Sequence, residues 1–427
     1  MEDDDSGGID QMKTLFKNGK LVLEDRVLEG YTLVTEGERI LEILPDEETA
    51  AQISREKGQG SEEKDTAEEI CEVDLRGRFV LPGMIDIHSD MIESYIQPRS
   101  TAVMDFEMGL REAERVLASC GITTMFHSIS MFREGTWDVK EIRQAPQVRK
   151  LAALIGRYRH EKRLIRHRYH LRYEIDNLAC YEDVMEMMEE GLVDLLSFMD
   201  HSPGQGQYKN LEIYRKHQPD EGKNLTDQEF EELVRQEMEK ETVTFEGLKK
   251  LADCAAERGI SVASHDDDTV EKLKVNRDLG VKISEFPITL EVAKEARKAG
   301  FMTVVGAPNI LLGGSHSGNL SALEAIREEA ADVLVSDYYP QALLHAMFRL
   351  YKKEGFPLWE AARYVTLNPA KAVGMDREIG SLEKGKLADL LIVDGEGEMP
   401  LLEQVYVAGQ KVFECSYRGA DPTGAQE

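Results

Sequence analysis

Val80-Leu81-Pro82-Gly83-Met84-Ile85-Asp86-Ile87-His88-Ser89-Asp90 is an apolar run that ends on two metal-binding residue types. Its alternation and its Pro-Gly entry predict a buried strand followed by a turn. An open doubly wound sheet would need a glycine-rich phosphate turn after this first strand. The chain has His88-Ser89-Asp90 there instead. Downstream, apolar strands alternate with helical patterns, which argues for parallel β/α units. Strand candidates end near Asp90, Ser128, Glu174, His201, Asp266, Phe286, Pro308 and Asp337, with helical stretches at 106–119, 141–163, 181–190 and 246–258. Eight repeats predict a closed (β/α)8 TIM barrel over residues 81–379, of the α/β class.

The flanks read differently. Residues 12–80 alternate as short strands with turns such as Asn18-Gly19, and the β pattern resumes at 380–420 in Ala388-Asp389-Leu390-Leu391-Ile392-Val393 and Val405-Tyr406-Val407. The two ends are expected to combine into one small β-sandwich domain. Residues 1–11 are acidic and read as a disordered tail, 48–68 as a charged exposed loop, and 205–245 as an insertion of solvated helices rather than a lid.

Composition narrows the function. With 427 residues and 41% apolar side chains, the chain can bury one large core and a satellite. A net charge of −29 opposes nucleic-acid and anionic-membrane partners. No apolar run approaches the roughly 20 residues of a membrane helix. The N-terminus lacks the order of a signal peptide, so a cytoplasmic enzyme is expected. The five cysteines are scattered, with no C-x-x-C pair, which argues against a thiolate zinc site.

The chemistry is carried by histidines and carboxylates. His88, His201, His265, Glu174 and Asp337 each sit at the C-terminal end of an expected barrel strand, where such barrels build active sites. Asp90, two residues after His88, is expected on the same face. His and carboxylate ligands suit zinc, manganese or iron(II). Taken singly, each is more often a packing histidine or a helix cap; six in barrel register are harder to dismiss. His160, His167, His217 and His345 read as surface or helix residues. His127 reads equally as pocket or core, and His170 as structural.

Val80–His88, together with Asn368-Pro369-Ala370 and Gly380–Leu390, resembles the amidohydrolase superfamily. The segments 170–174, 199–205, 263–267, 306–309, 313–319 and 336–340 resemble its phosphonate-metabolism branch. That resemblance implies a hydrolase releasing pyrophosphate from a phosphorylated ribose phosphonate. It implies a divalent metal, zinc first and manganese or iron as alternatives, one or two per chain. His88, Asp90, Glu174, His201, His265 and Asp337 would surround the metal, with Asp337 also the catalytic proton carrier. Arg99, Arg172 and His316 would contact a small phosphorylated substrate; a homo-oligomer is left open. Two positions depart from the branch, which usually has arginine where this chain has Leu312 and Gly206. Those departures favour a runner-up, a C–N hydrolase with the same metal centre. A scaffold without metal is the least supported reading, because every ligand position holds a coordinating residue.

Overall fold

The computed structural model describes residues 12–49, 70–133, 140–206, 211–217, 225–314 and 319–416. The expected acidic tail, and nearly all of the expected 48–68 loop, lie outside them. Eight parallel strands form the central sheet: β8 (Met84–Ser89), β9 (Ile122–Met131), β10 (Arg166–Glu174), β11 (Leu195–Met199), β12 (Ser261–His265), β13 (Ile283–Glu285), β14 (Met302–Gly306) and β15 (Val333–Val335). They pair in sequence order, and a parallel bridge between Ser89 and Asp337 closes the barrel. The closure is made by backbone: Asp337 N–H donates to His88 C=O at 3.0 Å, and Asp90 N–H to Asp337 C=O at 2.8 Å. All ten residues of β9 are buried, as expected of a strand covered on both faces.

The expected helices are present as Phe106–Ser119, Ala145–Tyr158, Tyr181–Glu189 and Phe245–Glu257. Asp105, Thr244, Thr269, Thr289 and Ser321 start helices by accepting a backbone N–H near the first turn. Each sits at a loop-to-helix junction, so local chemistry and the β/α alternation agree. The inner wall is apolar toward one end, with Ile85, Phe126, Leu195, Ala263, Ile283, Val304 and Val333 packed on Ala370 and Ile379. Polar side chains take over toward the strands' C-terminal ends. In the 205–245 insertion, helices Leu211–His217 and Asp227–Met238 pack Tyr214, Phe230 and Val234 into a small cluster of their own.

The two chain ends build two further sheets. One orders β5 (Arg39–Pro45), β4 (Tyr31–Glu36), β1 (Lys13–Lys17) and β6 (Ile70–Asp74). The other orders β18 (Gln410–Glu414), β17 (Leu401–Val407), β16 (Leu390–Asp394), β7 (Phe79–Pro82), β2 (Lys20–Val22) and β3 (Val27–Glu29). Phe16, Leu33 and Ile40 of the first sheet share a core with Leu21, Val80, Leu390 and Tyr406 of the second. The second sheet turns Phe79, Leu81, Leu391 and Val405 toward the barrel's helical layer. Asp389 ties the junction: its C=O accepts Gly83 N–H at 2.9 Å, and its carboxylate pairs with Arg166 of β10.

Gly83 links β7 to β8 where the chain presses on β9. A Cβ there would lie 2.2 Å from Thr123 Oγ1 and 2.5 Å from its Cγ2. Gly83→Ala should therefore cost about 1–3 kcal/mol of stability. A denaturation midpoint would register this, and an added Thr123→Ala should recover part of the loss. An unchanged midpoint in the single variant would contradict the close approach.

Candidate functional site

The C-terminal rim of the barrel gathers the expected strand-end residues, and three histidines cross it in a row. The rings of His88 and His265 are 5.4 Å apart, and those of His265 and His201 6.4 Å. Phe286 lies 5.1 Å from both His88 and His265, and Phe132 stacks on His201 at 6.0 Å. Each imidazole turns Nδ1 to a carboxylate. His88 Nδ1 is 2.8 Å from Glu285 Oε1, His201 Nδ1 is 2.8 Å and 2.9 Å from the two Glu174 oxygens, and His265 Nδ1 is 3.0 Å from Asp266 Oδ2. A hydrogen-bonded carboxylate of this kind fixes ring orientation at His88 and His201, whereas the His265–Asp266 contact is close without being a hydrogen bond.

Asp337 joins this group through the barrel seam. Its backbone bonds to His88 and Asp90 set it beside both, and its negative charge acts on Asp90. The backbone at Asp266, Phe286 and Asp337 is left-handed, with φ of 52°, 53° and 61°. Three non-glycine residues in that conformation at the ends of barrel strands mark a strained rim, where functional groups concentrate.

Electrostatics at the rim are strongly perturbed. Burial, then the Arg172 charge, holds His88 well below the usual imidazole range. Burial pushes Asp90 up to about 6, with Glu93 adding to the shift and Arg172 and Arg143 opposing it. Burial also opposes charge on His201, yet the Glu174 carboxylate outweighs it and the pKa lies above the usual value. Arg172 thus acts on His88, Asp90 and His201 together, as its position two residues before Glu174 on β10 predicts. Its buried Nε has no hydrogen-bond partner among the described residues.

Other expected contacts fall elsewhere. Arg99 lies on an exposed turn bridged to Ala102. His316 lies outside the described residues. Leu312 is 67% exposed and offers no charge. Gly206 has φ +51°, and a Cβ on it would stand 3.0 Å from Asp266 Cβ and 3.2 Å from Asp266 C=O. The turn is pressed onto the end of β12, so a side chain at 206 would displace it.

The structure adds residues that pattern reading missed. Glu285 ends β13 and faces His88; as a strand-end carboxylate it carried the same signal as Glu174. Ser197 carried none. His170, Glu285 and His88 present donor atoms within 4.8 Å of one another, a set that could hold a metal ion. Arg143 lies 3.6 Å from Asp90 and 2.5 Å from buried Glu93, which also accepts from Lys140 at 3.0 Å. Asp267 is structural: Ser264 and Ser284 donate to one oxygen at 2.6 and 2.5 Å, and Asn276 to the other at 2.8 Å.

Two histidines sit on the other face of the sheet from the rim group. His127 Nε2 is 2.9 Å from His167 Nδ1, and His167 Nε2 is 2.8 Å from Glu114 of the Phe106–Ser119 helix. His127 is therefore a packing residue. His167 is wholly buried in β10 rather than on a surface, because its arginine neighbours disguised a strand. His160 is exposed, as expected, and His345 is half-buried in the Ala342–Lys352 helix. Burial holds both His127 and His167 below the usual range. Both bind a proton less readily in the fold, Glu114 partly offsetting burial at His167, whereas the unfolded chain takes up protons below about pH 6.5. Stability is then fully present above that pH and falls as pH drops, by up to about 1.4 kcal/mol per pH unit for each. Chemical denaturation at about pH 7.5 and about pH 5.5 should show the fall, and His127→Gln should make it shallower. Equal slopes for variant and wild type would remove His127 from the effect.

This fold, with histidines and carboxylates gathered at the barrel rim, defines a hydrolase of the amidohydrolase type. Residues 79–419 match the amidohydrolase family model, and the chain belongs to that family. It is 31% identical over 405 residues to the α-D-ribose 1-methylphosphonate 5-triphosphate diphosphatase of Escherichia coli (strain K12), covering 93% of this chain and 100% of that protein. It is 32% identical to adenine deaminase 4 of Rhizobium meliloti (strain 1021), over 125 residues that make up 27% of this chain and 20% of that one. Among solved structures, N-acetylglucosamine-6-phosphate deacetylase from Pasteurella multocida superposes with a TM-score of 0.58 at 14% identity, over 94% of this chain and 99% of that one. Molinate hydrolase superposes with a TM-score of 0.60 at 13% identity, over 94% and 95%. These structural likenesses carry the fold. The full-length relative bears out the resemblance to the phosphonate-metabolism branch. Among the described residues, no helix is long and apolar enough to cross a membrane.

Proposed function

We propose that this chain is a metal-dependent diphosphatase of phosphonate metabolism. It would release pyrophosphate from α-D-ribose 1-methylphosphonate 5-triphosphate or a related phosphorylated compound. The observation that carries the reading is Arg172: a guanidinium whose buried Nε has no hydrogen-bond partner among the described residues, acting on three of the expected metal-binding residues. Such a group calls for an anion, and phosphoryl oxygens match its fork. The full-length relative supports the same substrate class.

The donor set fits a divalent cation, because imidazole nitrogens and carboxylate oxygens suit zinc, manganese or iron. His88, Asp90, Glu174, His201, His265 and Asp337 would hold one or two such ions. When bound, the metal would supply a Lewis acid and lower the pKa of water. Asp337 takes the proton of the water that attacks the α-phosphorus and returns it to the pyrophosphate oxygen as that P–O bond breaks. Arg172 holds the phosphoryl oxygens as charge builds on them. Phe132 stacks on His201, and Phe286 lies edge-on to His88, so apolar rings flank the histidines that would hold the metal.

Arg172→Met should weaken binding of a non-hydrolysable phosphorylated ligand about ten- to a hundred-fold at full metal occupancy. Metal stoichiometry and ligand affinity measured on one preparation check this. Unchanged affinity with metal in place removes Arg172 as a phosphate contact. It also shifts the balance to the second reading, hydrolysis of an amide or cyclic amide, which Leu312 and the crowded Gly206 favour by leaving those positions without a basic group. Assaying pyrophosphate release against amide hydrolysis separates the two.

A further inference from the structure

We infer that Glu285, Ser197 and His170 form a bracket beneath the metal centre that orients His88, and that none of the three is itself a ligand. The inference rests on the metal-dependent reading above. His88 Nδ1 lies 2.8 Å from Glu285 Oε1, and Ser197 donates its hydroxyl to Glu285 Oε2 at 2.6 Å. Ser197 Oγ is also 2.6 Å from His170 Nε2. On its far side His170 Nδ1 lies 3.0 Å from Ile87 C=O and 2.9 Å from Ser128 Oγ. Ser128 in turn accepts Ser89 N–H at 3.1 Å, next to His88.

The contacts therefore run from the backbone on either side of His88, across the barrel lumen through β9, β10, β11 and β13, and back to the His88 ring. Glu285 has no exposed surface, nor does His170, and His88 is 1% exposed. His170 and Glu285 both face Ser197, whose hydroxyl lies between them. A cation held by both would have to displace that hydroxyl and leave it buried without its partners. His170 also sits four residues inward of Glu174 on the same strand, on the order of 13 Å along it. His88 belongs to both layers: Nδ1 faces the bracket, and its ring lies 5.4 Å from that of His265. With Nδ1 engaged, Nε2 is the nitrogen it presents to a metal. Carboxylate partners of this kind raise ligand basicity and fix the ring, and their loss costs about 10–100-fold in metal affinity.

Replacing Glu285 separates a bracket from a ligand, because glutamine keeps an acceptor for His88 Nδ1–H but is a poor metal donor. Affinity for zinc and for manganese would be measured by competition with a chromophoric chelator on the full chain, with a thermal melt of each metal-free variant as the folding control. Glu285→Gln should stay within about ten-fold of wild type, whereas Glu285→Met should lose about 10–100-fold. Ser197→Ala removes no ligand under any reading, yet should weaken metal binding by several-fold. Loss of metal from Glu285→Gln as complete as from Glu285→Met would make Glu285 a ligand and overturn the proposal. So would unchanged affinity in both Glu285→Met and Ser197→Ala. If Glu285→Met fails to fold, Ser197→Ala and Glu285→Gln decide alone: weakened binding in the first with retained binding in the second supports the bracket, and any other pair overturns it. Wild-type protein that binds neither metal refutes the metal-dependent reading itself, a result distinct from any of these.

Discussion

Asp337→Asn should lower kcat by about 10²–10⁴-fold and leave the fold intact. The carboxylate is the group proposed to carry the proton from the attacking water to the leaving oxygen, and an amide cannot carry it. Asparagine is the right replacement for a second reason. Asp337 has φ +61°, and asparagine is among the few non-glycine residues that tolerate this region. The bonds closing the barrel here run through backbone atoms, from Asp337 N–H to His88 C=O and from Asp90 N–H to Asp337 C=O. They survive the change. A melting temperature near wild type combined with lost turnover is the expected pair of results. A folded variant that still turns over at the wild-type rate removes Asp337 from proton transfer.

Protein prepared without chelator should carry about one or more equivalents of a first-row divalent metal, and His201→Gln should bring the content well below that. Glutamine keeps an N–H that can reach Glu174, so the pairing that spans β10 and β11 need not collapse. It removes the imidazole nitrogen that would bind the ion. His201 is 19% exposed on its side chain, so the substitution opens no deep cavity. Elemental analysis of both proteins checks the prediction, and turnover should fall with metal content. Wild-type protein with well under one equivalent after reconstitution would end the metal-dependent reading. Full occupancy in His201→Gln would remove His201 from the ligand set.

Local pattern carried much of this protein. A parallel strand buried on both faces is a short apolar run, and its end is marked where polar residues begin; β8 ending at Ser89 and β10 ending at Glu174 could be read that way. Because every such strand points its C-terminus to one rim, strand-end residues as distant as His88 and Asp337 could be grouped from sequence. The helices read at 106–119 and 246–258 were equally local, and Asp105 and Thr244 cap them with a side chain and a backbone N–H three residues on.

Tertiary structure decided what local pattern leaves degenerate. A shift of one residue reverses the face of a strand, so the sequence could not say that Ser128 reaches His170 while His127 turns to the helices. His167 looked like part of a charged surface because two arginines flank it, and only the packing of the Phe106–Ser119 helix supplied Glu114 as its buried partner. Gly206 looked like a missing charge; the turn pressed onto Asp266 supplied a steric reason for it. Glu285 is 197 positions from His88, and their contact exists only because β8 and β13 face each other across a closed lumen. Strand identity and strand ends follow from short apolar runs and the polar residues that close them. Which side chains meet across the barrel depends on closure, shear and strand register, which are properties of all eight strands together.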